Sequence, residues 1–229
     1  MKNDSKKIEP LVALKNTLSG YLNLGITEVE YEISKENKIS KEEALSSLKN
    51  DVLICHKCPL YKTKTQYVFG EGAPDSSLMF IGEAPGYYED AKGRVFIGKA
   101  GQLLTKIIEA MGFSREDVYI ANILKCRPPD NRNPMGNEIK NCFPYLARQI
   151  EIIKPEVICA LGTFAAQKLI ETNIPISKIR GKLFYYNDIK VVPTFHPSFL
   201  LRNSNYKRQT WEDAKFILRL LGREIDKNK

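Results

Sequence analysis

From residue 68 onward, short apolar runs alternate with amphipathic stretches. Residues 78–81 form one run that stops at Gly82. Residues 118–124 form a second, and residues 157–161 a third that breaks at Gly162. Each has the length of a buried strand. Between them, residues 101–110 place Leu103, Leu104, Ile107 and Ile108 on one helical face, and residues 138–153 read as a helix stopped by Pro155. Thr163 is expected to cap a helix reaching to residue 170. Residues 183–186 and 189–193 pair as a hairpin around Asn187-Asp188, and a last helix runs from residue 206 to residue 221, closed by Gly222. Strands alternating with helices predict a three-layer α/β/α fold with a central, mainly parallel four-stranded sheet. Ligands of such folds bind beyond the carboxyl ends of the strands. Those ends are Gly82-Glu83-Ala84-Pro85-Gly86, residues 122–127, Leu161-Gly162-Thr163 and residues 193–198.

The first fifty residues follow another pattern. Residues 8–22 read as an amphipathic helix of modest quality, and residues 23–39 as a polar linker. Ser40 with Glu43 forms a capping box that opens a helix through residue 54, with Ala44, Leu45, Leu48, Val52 and Leu53 as its apolar stripe. The expected division is an N-terminal helical extension and linker over residues 1–50 and a catalytic-type α/β domain over residues 51–229. A hydrophobic content of 43% is enough for a core and excludes a disordered chain. No run approaches the roughly 18–20 apolar residues of a membrane span. The lysine-rich start has no apolar signal core behind it, so the expectation is a cytoplasmic, monomeric protein with no membrane partner.

Charge narrows the partner. The chain carries 35 Lys+Arg against 27 Asp+Glu. Residues 1–50 hold eight of each sign, whereas residues 173–229 hold 12 basic and 5 acidic residues. A basic excess concentrated at one end of the chain fits a polyanion, although a solvated lysine-rich surface gives the same count.

Cys55 and Cys58 form a C-x2-C pair, while Cys126 and Cys142 come singly, one after a strand and one in the following helix. In a reducing compartment such cysteines favour metal over disulfides. Scattered ligands suit a cluster built into a fold better than an independent zinc module. Four thiolates fit a cubane [4Fe-4S] cluster by count, and zinc in the same pocket is the competitor. Cys159 lies inside a strand and reads as a buried apolar residue. His56 reads as exposed loop.

Five motifs stand in order: Cys55-x2-Cys58-Pro59-Leu60, Gly82-Glu83-Ala84-Pro85-Gly86-Tyr87-Tyr88-Glu89-Asp90, Gly93-Arg94-Val95-Phe96-Ile97-Gly98-Lys99-Ala100-Gly101-Gln102-Leu103-Leu104, Asn122-Ile123-Leu124-Lys125-Cys126-Arg127-Pro128-Pro129 and His196-Pro197-Ser198. Over about residues 52–222 the chain resembles the family 4 uracil-DNA glycosylases, the iron–sulfur branch of their superfamily. The resemblance implies a repair enzyme that flips uracil out of single- or double-stranded DNA, hydrolyses its N-glycosidic bond and leaves an abasic site. It also implies a [4Fe-4S] cluster on Cys55, Cys58, Cys126 and Cys142.

The resemblance further implies roles. Phe96 stacks on the base, a contact of roughly 1–3 kcal/mol. Asn122 reads the uracil edge, which requires its amide to be held in one orientation. His196 donates to uracil O2 and stabilises the leaving anion. Gly82 and its neighbours leave room for backbone amides to approach the base. Ala84 stands where family 1 enzymes place an Asp, so the catalytic water falls to backbone, to Glu83 or to Asn131. Glu89 corresponds to a position beside uracil C5 that excludes a thymine methyl. Leu200 or Leu201 is the expected wedge into DNA, with Ser198, Arg202, Lys207 and Arg208 near phosphates. Val95 departs from the family's usual Pro. No lysine in the motifs offers a nucleophile for strand cleavage, and no histidine-bearing insertion of the covalently trapped branch is present. Ala84 also leaves open a non-catalytic iron–sulfur protein that binds uracil-containing or single-stranded DNA.

Overall fold

The computed structural model of the protein describes residues 39–223, together with residues 19–20. The chain divides into two compact units at residue 38, and the unit beginning at Ile39 is the one described below. The expected helix over residues 8–22 and the linker over 23–39 fall almost wholly outside the described residues. No helix among the described residues is long and apolar enough to cross a membrane.

Six strands form one sheet: β1 (Glu71–Gly72), β2 (Leu78–Gly82), β3 (Tyr119–Asn122), β4 (Val157–Leu161), β5 (Phe184–Tyr186) and β6 (Ile189–Thr194), in the order β1-β3-β2-β4-β6-β5. The central four are mutually parallel, as expected. The hairpin expected over residues 183–186 and 189–193 forms, which makes β5 one antiparallel edge, and β1 adds a second at the other side of the sheet. β1 is two residues long and leaves no periodic trace.

Side chains alternate across the sheet, so each strand feeds two cores. Met79, Ile81, Ala121, Ile158 and Ala160 face one layer. That layer includes α1 (Lys41–Leu53), α4 (Gly136–Ile153) and α5 (Thr163–Ile170). Leu78, Phe80, Ile120, Val157 and Cys159 face the other, formed by α3 (Lys99–Ala110) and α8 (Lys207–Leu220). All five residues of β2 are buried, as in a sheet covered on both faces. Cys159 is buried there, as its place in the strand implied.

The Ser40 capping box forms as expected, with Glu43 N–H donating to Ser40 Oγ and Ser40 N–H to Glu43 Oε2. Residue 50 falls inside α1, whose Leu45, Leu48 and Val52 enter the core. Thr163 is the first residue of α5 and not its cap; Gly162 occupies the cap position. Three short helices went unread in the sequence: α2 (Tyr87–Lys92), α6 (Ile176–Ile179) and α7 (Pro197–Arg202).

Register is what positions the site. Gly82 pairs with Asn122 at the ends of β2 and β3, and Leu161 pairs with Thr194 at the ends of β4 and β6. Four motif loops therefore leave the sheet side by side.

Candidate active site and cysteine cavity

The loops from β2, β4 and β6 and the turn at Pro129–Asn131 enclose a cleft of about 300 Å³. Its lining includes Glu83, Ala84, Gly86, Asn131, Gly162, His196, Ser198 and Arg202. Gly82, next to the cleft residue Glu83, lies against Asn122 and Phe96. A Cβ on Gly82 would overlap Asn122 Oδ1 and stand 2.5 Å from the Phe96 ring. Glycine at this position is what allows the amide and the ring to approach.

Asn122 is 1% exposed, and its Oδ1 is a buried acceptor without a partner among the described residues. Leaving such an atom unpaired costs roughly 1–3 kcal/mol. Phe96 sits in a loop, as expected, with φ of +49°. Its ring centroid is 5.6 Å from that of His196.

His196 caps α7, and its Nδ1 accepts from Ser198 N–H at 3.2 Å and Ser198 Oγ at 2.8 Å. The backbone N–H is an obligate donor, so Nδ1 must be the acceptor and Nε2 carries the proton. Burial and the charge of Arg202 push the His196 pKa down to about 4. The ring is a neutral donor through Nε2 at physiological pH. Gly162, with φ of +86°, passes beneath it; a Cβ there would stand 2.9 Å from His196 Cβ.

Glu83 lines the cleft, and burial pushes its pKa up to about 7. Asn131 is exposed at the rim, with its Oδ1 accepting from Arg127 Nε at 2.8 Å. Ala84 lines the cleft and supplies no polar side chain.

Several expected site residues are placed differently. Glu89 is buried in α2, and its Oε1 accepts from Ile97 N–H at 2.9 Å and Gly98 N–H at 2.8 Å. Its carboxylate is thus bound to the Phe96 loop. Leu200 is corrected as a wedge: it is 1% exposed and belongs to the core-facing side of α7. Its neighbour Leu201, turned about 100° around the helix, is 48% exposed. Ser198 spends its hydroxyl on His196, while Arg202, Lys207 and Arg208 are exposed.

Cys55, Cys58, Cys126 and Cys142 line a single cavity, closed by Val52, Leu60, Tyr67, Leu124 and Tyr145. Among the described residues, no three His, Cys, Asp or Glu side chains gather closely enough for one metal ion. Burial raises the Cys126 and Cys142 thiols, the latter to about 11, and neighbouring cysteines raise both further. Lys125 N–H donates to Cys142 Sγ at 3.2 Å, and Tyr67 Oη donates to the Cys55 carbonyl at 2.6 Å. His56 is exposed beside the cavity, as expected.

Lys125 joins the two regions, and sequence reasoning missed it. It is 1% exposed, and its Nζ donates to the Asn122 carbonyl at 2.9 Å and to Gln149 Oε1 at 2.6 Å. Burial pushes its pKa down to about 8. The available signal was a lone cation between apolar residues and a cysteine. Arg115 was missed as well, because its partners, two main-chain carbonyls and the side chains of Thr105 and Glu71, all lie ten or more residues away along the chain.

A fold of this topology, with a buried amide, a neutral histidine and an aromatic ring meeting beyond the parallel strand ends, defines a base-excising glycosylase. The family description Uracil DNA glycosylase superfamily matches residues 69–215. A Type-4 uracil-DNA glycosylase of Archaeoglobus fulgidus is 42% identical over 190 residues, covering 80% of this chain and 96% of that protein. One from Thermotoga maritima is 46% identical over 180 residues, covering 77% and 94%. A Type-5 uracil-DNA glycosylase of Pyrobaculum aerophilum is 30% identical over 184 residues, covering 70% and 80%. The chain belongs to the uracil-DNA glycosylase superfamily, within its type-4 branch.

Proposed function

We propose that this protein removes uracil from DNA by hydrolysing the bond between N1 and the deoxyribose, leaving an abasic site. The observation that carries the reading is the buried, unpartnered Asn122 Oδ1, which shares the space over Gly82 with the Phe96 ring, itself 5.6 Å from the ring of neutral His196. Oδ1 accepts the uracil N3–H, and the amide N–H2 donates to O4. Cytosine presents an acceptor and a donor in the reverse places, so a fixed amide rejects it. Phe96 stacks on the flipped base, whose extraction costs roughly a few kcal/mol.

As the N1–C1′ bond breaks, its electron pair goes to the uracil ring and the negative charge spreads to O2. His196 Nε2–H donates to that oxygen, and Arg202 adds favourable charge nearby. Water adds to C1′, and Glu83 accepts its proton. A carboxyl group with a pKa near 7 is matched to that task. Asn131 orients the same water from the rim. Ala84 leaves space for it. Arg202, with Lys207 and Arg208, holds phosphates, Ser198 keeps the histidine tautomer, and Leu201 fills the gap left by the base.

The four cysteines fit a [4Fe-4S] cluster. They line one apolar-walled cavity and are the donors that would hold it. With all four positions ligated by thiolate, such a cluster supplies cross-linking of the fold rather than a step of the reaction. Residues 51–229 carry every side chain of this site. The protein acts as a monomer in the cytoplasm.

The test is excision from uracil-containing oligonucleotides by anaerobically purified protein, with His196→Ala as comparison. Wild type should be brown and should release uracil. His196→Ala should keep its colour and lose turnover of bound substrate by about 10²–10³-fold. Unchanged turnover in the variant removes the anion-stabilising role. Binding without product in the wild type would favour the non-catalytic alternative.

A further inference from the structure

The loop carrying Phe96 is gripped on both sides by charged side chains of opposite sign. From one side, Glu89 Oε1 accepts from Ile97 N–H and Gly98 N–H. From the other, Arg115 Nη1 donates to the Phe96 carbonyl at 3.1 Å and Nη2 to the Val95 carbonyl at 2.9 Å. The same guanidinium donates to Thr105 Oγ1 at 3.2 Å and to Glu71 Oε1 at 2.6 Å. Arg115 is only 16% exposed on its side chain, and Glu71 27%. Burial works to raise the Glu71 pKa, but hydrogen bonds from Arg94 and Arg115 outweigh it and hold the carboxyl below its ordinary value. Glu71 therefore stays ionised and fixes the guanidinium plane.

The loop needs such a grip. Phe96 has a left-handed backbone, which an aromatic residue keeps only when its surroundings enforce it. Gly101 packs so closely that a Cβ there would overlap the Phe96 carbonyl. Val95 leaves a rotational freedom that a proline ring would remove. Two bonds from Arg115 to consecutive carbonyls remove it instead. A planar fork with several fixed donors can do this, whereas a lysine ammonium, a single point on a flexible stem, cannot reproduce the geometry.

We propose that Arg115, oriented by Glu71, is a positioning residue for uracil excision. With Glu89 it sets the backbone of residues 95–98, and so holds the Phe96 ring where a flipped pyrimidine stacks. The proposal rests on Phe96 being the stacking wall. It adds that the wall is preorganised by a charged pair on the opposite side of the loop from Glu89.

The experiment is a double-mutant cycle on the full chain, made from Arg115→Met, Phe96→Ala and the pair. It reads KM and kcat on uracil-containing single-stranded DNA and the inhibition constant of free uracil. Arg115→Met should raise KM and the uracil inhibition constant together by about ten-fold or more, with a smaller change in kcat. Arg115→Lys should recover only part of the loss. In the Phe96→Ala background, Arg115→Met should add almost nothing. Additive losses overturn the proposal while leaving Phe96 as the stacking wall. Full recovery by Arg115→Lys overturns it too. If Phe96→Ala alone changes nothing, the stacking reading fails, and the clamp with it. Should Arg115→Met not fold, Glu71→Gln in the same cycle gives the same readout. It should produce a weaker but parallel rise in both constants, and a rise in neither overturns the proposal.

Discussion

The base slot and the cysteine cavity are joined by the short stretch from Asn122 to Cys126, yet they are built differently. The slot is assembled by sheet register and held by hydrogen bonds. Gly82 and Asn122 pair across β2 and β3, Ser198 fixes His196, and Glu89 and Arg115 hold the Phe96 loop. Its geometry is complete in the polypeptide alone. The cavity draws its four thiols from a turn after α1, a strand exit and the middle of α4, and its walls are apolar. Burial and the neighbouring cysteines disfavour the charged forms of Cys126 and Cys142, against the Lys125 N–H bond to Cys142 Sγ. A site that must act at once on each base is preorganised.

That contrast is open to direct attack. The largest effect should come from His196→Ala, which should cut turnover by about 10²–10³-fold and leave the visible absorption of the protein intact. Bleaching in this variant would mean that the regions are not separable. Gly82→Ala comes next. The added methyl group displaces the Asn122 amide and the Phe96 ring, and activity should fall on the order of 10²-fold with an unchanged unfolding midpoint. A wild-type rate would mean that the close approach at Gly82 is incidental.

Cys126→Ser tests the other region. It should abolish the brown colour and lower the thermal midpoint by roughly 10 °C, an effect of a few kcal/mol in a chain of this length. A midpoint equal to the wild type would show that the cavity needs no ligand. The pH profile has a smaller amplitude. Glu83 must be ionised to take the proton from water, so turnover should rise with pH, about ten-fold per unit, and level off above about pH 7. His196, pushed down to about 4, stays neutral over the same range and adds no limb. Glu83→Gln should flatten the profile, and a limb that survives this change belongs to another group. The smallest effects separate two adjacent leucines. Leu200→Ala should cost about 2–5 kcal/mol of stability. Leu201→Ala should change stability by less than about 0.5 kcal/mol and raise KM for duplex DNA only a few-fold.

Those leucines also show where the sequence was legible. The four parallel strands and their order of motifs could be read, because apolar runs ending in Gly82 and Gly162 have the length and punctuation of buried strands. Phe96, Asn122 and His196 stood at strand exits or in glycine-rich loops, but it was the resemblance to the family 4 motifs that singled them out. α2 was not legible: Tyr-Tyr-Glu-Asp-Ala-Lys is one and a half turns with no apolar stripe, and Glu89, expected beside uracil C5, has its carboxylate bonded to the main chain of the Phe96 loop. Leu200 and Leu201 could not be phased, because one short turn has too few residues to define a face. Arg115 and Glu71 left no trace, since their partners lie far along the chain: two main-chain carbonyls and Thr105 for Arg115, Arg94 for Glu71, and each other across 44 residues.

The stretch from Asn122 to Cys126 has a consequence for how this protein can vary. Lys125 touches the Asn122 carbonyl with its side chain and the Cys142 sulfur with its main chain. Five consecutive residues therefore act as a spacer of fixed length, with an instrument at each end. Surface loops elsewhere tolerate a residue gained or lost at little energetic cost. Here a single insertion or deletion would misalign the amide and the thiol in one step, so change in this segment is confined to substitution.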